Sequence, residues 1–345
     1  MATAELLTLN DADRWRARLA ATRLGDFYHD PAYLAALAAR GEGEPLFFHY
    51  AQGDCAGFHA VLLRPLAALP FAHPYAAAFD AVSPYGYAGP VISHADRAAE
   101  FWAAWREAAQ ARGIVAEFVR FHPLLRNHEP FAACLDVREA GETIWLDLAG
   151  DFEAGLSASC RRNVRLAARR GLVVERADFG RLPQFWEMYS ATMRRKGAED
   201  YYFFDLPYFE RFRDGFGDDC WLMRAHADGR DAAYSICVRH RDLLHYHLSC
   251  SDDAMAKIKP VDSLLVETAR IAQSDGVRKF HLGGGYRGRD SLHEFKARFS
   301  PERATFYVGR AVHDADAVAR LTELAAAAGQ APADPNFFPP YRSRR

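Results

Sequence analysis

No stretch of the 345-residue chain approaches the roughly 18 uninterrupted apolar residues that a membrane-crossing helix needs. The richest stretch, Ala60 to Ala78, is broken by Arg64, Pro65, Pro70, His73 and Pro74. The N-terminus, MATAELLTLNDADRW, has neither the basic start nor the apolar run of a secretory signal, so a cytoplasmic address is expected. The six cysteines, at 55, 134, 160, 220, 237 and 250, form no C-x-x-C pair and show no zinc spacing. They read as small buried hydrophobes or free thiols, and no metal site is expected. Charge of one sign is also missing: the net charge is −2 and the pI near 6.7. Any nucleic acid or membrane surface must therefore be held by a local patch. What is present is apolar mass. Half of the residues are hydrophobic and 13% are aromatic, enough for two cores, and the length suits two domains.

The pattern predicts helices over 11–21 and from Pro31, a hairpin of 45–51 and 57–64 around AQGDCA, and a Gly/Pro-rich loop at SPYGYAGP. A helix over 95–112 and a strand IVAEFVRFHP follow. The second half repeats the order: a strand at 143–148, a helix at 152–170, a strand at 172–176 and helices near 181–196 and 206–216. A three-strand meander (219–227, 232–240, 242–249) leads to a helix at 262–275, a strand at 277–282, a GGG loop, a short helix at 291–298 and a strand at 304–310. The fold class is thus α/β (α+β). Domains are expected at 1–140 and 141–325, with a Pro/Arg-rich tail at 326–345 that is either an extended strap or loose.

Four constellations carry chemistry. In SASCRRNVRLAARRG, Leu156, Cys160, Val164 and Ala167/Ala168 make an apolar stripe, while Arg161, Arg165 and Arg169 share another face, flanked by Arg162 and Arg170. Like charges at this spacing destabilise a helix by roughly 0.2–0.5 kcal/mol per pair. No acid between Leu156 and Val174 offsets them. A bound phosphate would relieve the repulsion; a solvated basic face is the equally weighted alternative. In FHLGGGYRGRDSLHEFKARFS, a strand ends in three glycines that permit close ligand approach, among them Gly284 and Gly285. Asp290 or Ser291 caps the next helix, whose core stripe is expected to be Leu292, Phe295 and Phe299. Lys296, placed beside the glycines, suits an oxyanion, against the plain alternative of a surface lysine. In LLHYHLS, strict alternation puts Leu244, Tyr246 and Leu248 on one face and His245, His247 and Ser249 on the other. His247 is a candidate general base there, although structural histidines are the commoner case. In SPYGYAGP and FVRFHP, Tyr85 and Tyr87 on a stiffened loop and Arg120 at a strand end are candidates for substrate contact, against ordinary tyrosine packing.

On SPYGYAGPV, FVRFHPLLRN, CRRNVRLAARRG, MYSATMRRKGAEDYYFF, HYHLSCSD and FHLGGG…DSLHEFKARFS, the sequence resembles the FemAB-like family, the Fem-type peptidoglycan interpeptide-bridge aminoacyltransferases within the GNAT superfamily. The resemblance covers roughly residues 25–310. It implies two tandem GNAT-like domains, each a mixed, mainly antiparallel sheet flanked by helices, with a cleft between them. It implies transfer of an aminoacyl group from aminoacyl-tRNA to an amine, on a peptidoglycan precursor or related small metabolite. Phe295 and Lys296 match the family's Phe-Lys pair, Arg161 and Arg162 become phosphate contacts, and Tyr85 joins the acceptor pocket. The long helical arm of some members is absent.

Acetyl-CoA-dependent GNAT enzymes carry a Gly-rich turn whose N–H groups hold pyrophosphate. The equivalent stretch here, SDDAMAKIKPVDS, has no glycine, and Pro260 removes a donor. No tightly bound cofactor is expected. The co-substrate is aminoacyl-tRNA, gripped by the Arg161–Arg170 patch with residues 194–196, and acyl-CoA is the alternative. In the expected mechanism an acceptor amine attacks the ester carbonyl, Lys296 stabilises the oxyanion and the ribose hydroxyl leaves. A non-catalytic binding protein of the same fold is the third possibility.

Overall fold

The computed structural model describes residues 2–285, 288–330, 334 and 336–343. The chain divides into two compact units, 1–140 together with 306–345, and 141–305.

The first unit opens with strand β1 (Thr3–Leu7), helices α1 (Ala12–Thr22) and α2 (Pro31–Ala38), and strands β2 (Glu44–Gln52), β3 (Cys55–Pro65), β4 (Phe79–Val82) and β5 (Val91–Ile92). Helix α3 (Ala98–Ala111) and strand β6 (Ile114–Arg120) follow. Helix α2 starts where expected: Asp30 accepts from the Ala32 N–H at 2.8 Å and Pro31 takes the first helical position. On α3, Phe101, Trp102, Trp105 and Ala109 recur at helical spacing and are buried against β2, β3 and β6.

The second unit contains strand β7 (Asp136–Asp147, from residue 141), helix α4 (Ala158–Arg169), strand β8 (Val173–Ala177), helices α5 (Leu182–Lys196) and α6 (Leu206–Phe216), and the meander β9 (Cys220–Ala227), β10 (Arg230–His240), β11 (Leu243–Ser251). Helix α7 (Pro260–Ser274), strand β12 (Lys279–Gly284) and helix α8 (Ser291–Ala297) complete it. Strand β13 (Arg303–Val312) and helix α9 (Ala315–Ala327) come last.

The two units repeat one topology. In the first, β1, β2, β3 and β4 pair antiparallel in order, β4 pairs parallel with β6, and β13 closes the sheet against β6. In the second, β8, β9, β10 and β11 pair antiparallel in order, β11 pairs parallel with β12, and β7 closes against β12. The closing strand of the first unit comes from the far end of the chain. This corrects the expected division at 325. Residues 308–312 pair with β6, and α9 packs Ala317, Leu321 and Ala325 on Val115 and Ala116. Strands β1 and β4 and helix α9 were not legible as elements, being short or, for α9, alanine-rich.

The tail is tied down where it is described. Tyr341 is fully buried, and Arg342 donates to Asp80 at 2.6 Å and to the carbonyls of Arg64 and Pro65. Asp80 is 0% exposed and also accepts from Arg64 at 2.6 Å. Among the described residues no helix is long and apolar enough to cross a membrane. Removing Asp80 would strand two guanidinium groups. Asp80→Ala is therefore expected to lower unfolding free energy by roughly 3–5 kcal/mol in urea denaturation. A loss below about 1 kcal/mol, the value of a surface pair, would contradict the strap.

Candidate active site

In the second unit the parallel pair β11–β12 is short. Its register runs only from Leu243↔Lys279 to His245↔His281, and beyond that the two strands are unpaired among the described residues. On the other side β12 stays on β7, with Gly284 opposite Thr143. At Gly284 a side chain is excluded: a Cβ there would lie 2.8 Å from the Glu142 carbonyl oxygen. Gly283 takes φ +74°, the left-handed region that glycine enters without strain. At Gly285 a Cβ would fall 2.3 Å from the Asp290 carboxylate.

Helix α8 follows, capped by Asp290, whose Oδ1 accepts from the Leu292 and His293 N–H groups at 3.1 and 2.9 Å. The helix is turned against its own hydrophobicity. Leu292, expected in the core, is 39% exposed, while His293 and Lys296 are 5% and 8% exposed. Buried charged residues are rare unless paired. Lys296 donates to the Gly284 carbonyl at 2.7 Å and makes no ion pair with any described residue. Burial pulls its ammonium from the ordinary 10.5 down to about 8; Asp290 pulls the other way and the charge of Lys196 adds to the depression. Phe295 is half-buried on the core, edge-on to Phe299 at 5.2 Å, with the Arg298 guanidinium 4.7 Å above its ring.

The basic helix is as expected in charge and altered in packing. Arg161, Arg162, Arg165, Arg169 and Arg170 are exposed, and among the described residues none of them makes an ion pair; Arg161 donates to the Leu156 carbonyl. The buried face carries Cys160, Asn163 and Ala167, whereas Ala168 is exposed. Asn163 was not anticipated. It donates to Asp262 at 2.9 Å, and Asp262 also takes Arg298 at 3.3 Å. Asp262 sits in the first turn of α7, 5% exposed. A single-turn segment, 253–258, packs against α4 and carries exposed Lys257, with Lys259 next to it. Arg195, at the end of α5, pairs with Asp253 on the same segment at 2.8 Å. Residues 253–258 thus adjoin both α4 and the end of α5.

His247 departs from the expected role. A β-bulge interrupts β11, so that Cys237 faces Tyr246 and Ile236 faces Leu248, which breaks the strict alternation. His247 falls under α6, 3.1 Å from the Tyr208 hydroxyl and stacked on Phe212 at 4.8 Å. Burial holds its imidazole down to about 3, so it is neutral at pH 7 and a weak base. Tyr246 lies on the core beside Phe280 at 6.5 Å, and burial raises its hydroxyl.

Tyr85, Tyr87 and Arg120 are in the first unit, the tyrosines in a stapled loop and Arg120 at the end of β6. The Tyr85 carbonyl accepts from Tyr33 at 2.6 Å, Asn127 donates to the Ala88 and Pro90 carbonyls, and His29 bonds the Gly89 carbonyl at 2.9 Å. Burial pushes the Tyr85 hydroxyl up to about 12. Tyr87 packs edge-on to Tyr28 and Phe306, and Arg120 lies over Phe118 while donating to the Ser83 carbonyl. His122, buried and 3.0 Å from Asp26, anchors this region.

Residues 154–297 match a family model described as the acetyltransferase (GNAT) domain. The fold is similar to the crystal structure of FemX, 14% identical over 90% of this chain and 97% of that one, with a TM-score of 0.66. It is similar to L-PGS from Bacillus licheniformis, at 14% identity, 87% and 91% coverage and a TM-score of 0.59. It also resembles the C-terminal DUF2156 domain assigned to a lysylphosphatidylglycerol synthetase of Agrobacterium fabrum, at 17% identity, 90% and 95% coverage and a TM-score of 0.55. A comparison with curated protein sequences found no match. Residues 154–297 thus match a GNAT acetyltransferase domain, and the match supports an acyltransferase. The two compact units, each with the same strand pairing, make a fold similar to that of FemX.

The buried histidines set the acid response. The unfolded chain protonates His247 near 6.5, while the folded protein resists down to about 3; His29 behaves alike, to about 4. The unfolded state therefore binds more protons in this window, and stability falls as pH drops below 6.5. His247→Leu is expected to flatten that decline by up to about 1.4 kcal/mol per pH unit in denaturation series from pH 7 to 4. Superimposable slopes would contradict the buried neutral state.

Proposed function

We propose that this chain is an aminoacyltransferase that moves an aminoacyl group from aminoacyl-tRNA to an amine, on a cell-wall precursor or a related small metabolite. The observation that carries the reading is Lys296, a buried ammonium on the Gly284 carbonyl that makes no ion pair among the described residues, beside a glycine turn past the last paired residues of β11 and β12. A cation so placed suits charge that develops during reaction. The acceptor nitrogen forms a bond to the ester carbonyl carbon, the carbonyl oxygen becomes an oxyanion facing Lys296, and the C–O bond to the ribose breaks. The nitrogen's proton leaves to water or a substrate group, and the ribose oxygen departs as a hydroxyl. His247, neutral and covered by α6, is not the base in this scheme.

Two features favour tRNA as donor. The first turn of α7, where a pyrophosphate would seek backbone N–H groups, holds Pro260 and the Asp262 carboxylate. A fixed negative charge there opposes a second anion. The exposed arginines of α4, with Lys257, Lys259 and residues 194–196, offer phosphates a concentrated positive surface despite a net charge of −2. The fold likeness to FemX and to a domain assigned to a lysylphosphatidylglycerol synthetase supports aminoacyl chemistry and a cell-wall or lipid acceptor. An acyl-CoA donor is the second reading, favoured by the match of residues 154–297 to an acetyltransferase family model.

The test mixes purified protein with charged total tRNA or an acyl-CoA panel, plus cell-wall precursors, and reads new amides by mass spectrometry. A ribonuclease-sensitive product is expected; a product formed only with acyl-CoA would overturn the donor assignment. Lys296→Ala is expected to cut turnover by about 10²–10³-fold with the fold retained. Because the ammonium must be charged to act, activity is expected to decline above about pH 8, and that alkaline limb should vanish in the variant. An unchanged rate in Lys296→Ala would remove the mechanism.

A further inference from the structure

Helix α8 has seven residues, too few to hold a position by intrinsic helicity. Its placement comes from ties. Asp290 caps the first turn, Lys296 reaches the Gly284 carbonyl, and Arg298, just past the last turn, pairs with Asp262. The remaining tie is lateral: His293 Nε2 lies 3.0 Å from Glu142 Oε1. A carboxylate only accepts, so Nε2 carries the proton and donates.

Glu142 is placed to govern both partners of the Lys296 contact. It precedes Thr143, which pairs with Gly284, and its own carbonyl occupies the space a Gly284 side chain would need. Through His293 it also fixes the face of α8 one turn before Lys296. Its carboxylate is further engaged by Arg303 at 3.4 Å and Arg289 at 3.5 Å. Three donors thus hold the carboxylate, while Lys296 makes no ion pair among the described residues.

We infer that Glu142 and His293 are positioning residues: a strut from β7 that holds α8 so that the Lys296 ammonium stays buried on the Gly284 carbonyl, with the carboxylate kept away from it. The strut acts through Lys296 and touches no substrate. Its bearing on turnover rests on the role proposed above for Lys296, but its bearing on the position of Lys296 does not.

The chain has five lysines, at 196, 257, 259, 279 and 296, so selective ¹³C-lysine labelling gives few signals to resolve. In the full-length protein, the Lys296 ε-carbon is expected to titrate near 8, apart from the others. His293→Leu removes the donor. It is expected to let α8 lift and water reach the ammonium, moving the Lys296 midpoint up by about one pH unit or more. Turnover should fall with KM little changed. His293→Gln, whose amide nitrogen can donate to Glu142, is expected to restore both. Glu142→Ala makes the same test from the other side if His293→Leu does not fold. A midpoint unmoved in His293→Leu or Glu142→Ala, or no rescue by His293→Gln, overturns the strut. The titration needs no substrate. A shifted midpoint in a protein that transfers no acyl group leaves the strut standing and removes the proposed function.

Discussion

A lysine ammonium taken out of water and given one carbonyl oxygen in return is the constraint around which the second unit is arranged. Isolated buried charge costs several kcal/mol even after relaxation, and among the described residues no carboxylate pairs with Lys296. The acids nearby are engaged elsewhere: Asp290 caps α8, Asp262 joins α4 to Arg298, and Glu142 is held by His293, Arg289 and Arg303. Among the described residues Lys296 forms no ion pair. Under the proposed activity the anion that Lys296 meets is one that forms only as the reaction proceeds, because an interaction made in the transition state alone raises the rate.

The duplicated topology shows what each copy does with its parallel strand pair. In the second unit β11 and β12 separate after three residue pairs and the glycine turn follows. In the first, β4 stays paired with β6 as far as Val82↔Phe118, and Ser83 and Arg120 continue the contact by hydrogen bonds. The loop from Tyr85 to Pro90 is then fastened by Tyr33, His29 and Asn127. A polar cluster of Glu117 with His59, Trp105 and His313 lies under that sheet, fully buried. The first unit holds this loop with internal partners, and in the second Lys296 bonds the Gly284 carbonyl at the end of β12.

Much of the fold was legible because its strongest patterns are local. Helix α2 begins at Asp30-Pro31, α6 spans 206–216 as its periodicity indicates, and the β9–β10–β11 meander is marked by ADGR and HRD turns. The swap of the closing strand was not, since β13 and β7 carry no residue that specifies which β-edge each one joins. At the site, Lys296 beside the glycines was readable. The burial of His293 and Lys296 in place of Leu292 was not, because periodicity assumes that the apolar side turns inward. Asp262, Asn163, Glu142 and Arg298 were invisible for a different reason: their partners lie up to about a hundred and sixty positions away, and only the folded chain brings them together. A one-residue bulge that alternation cannot foresee sets His247 under α6, against Tyr208 and Phe212.

The claim that Lys296 awaits an oxyanion is tested most directly by calorimetric binding of a phosphonate that mimics the tetrahedral intermediate of aminoacyl-ester aminolysis, compared with the matching uncharged carbonyl ester analogue. The account predicts that the native protein prefers the phosphonate by at least about 10²-fold, the lower bound for transition-state analogues, and that Lys296→Met loses that preference while keeping affinity for the ester. Equal affinity of native protein and variant for the phosphonate would contradict it.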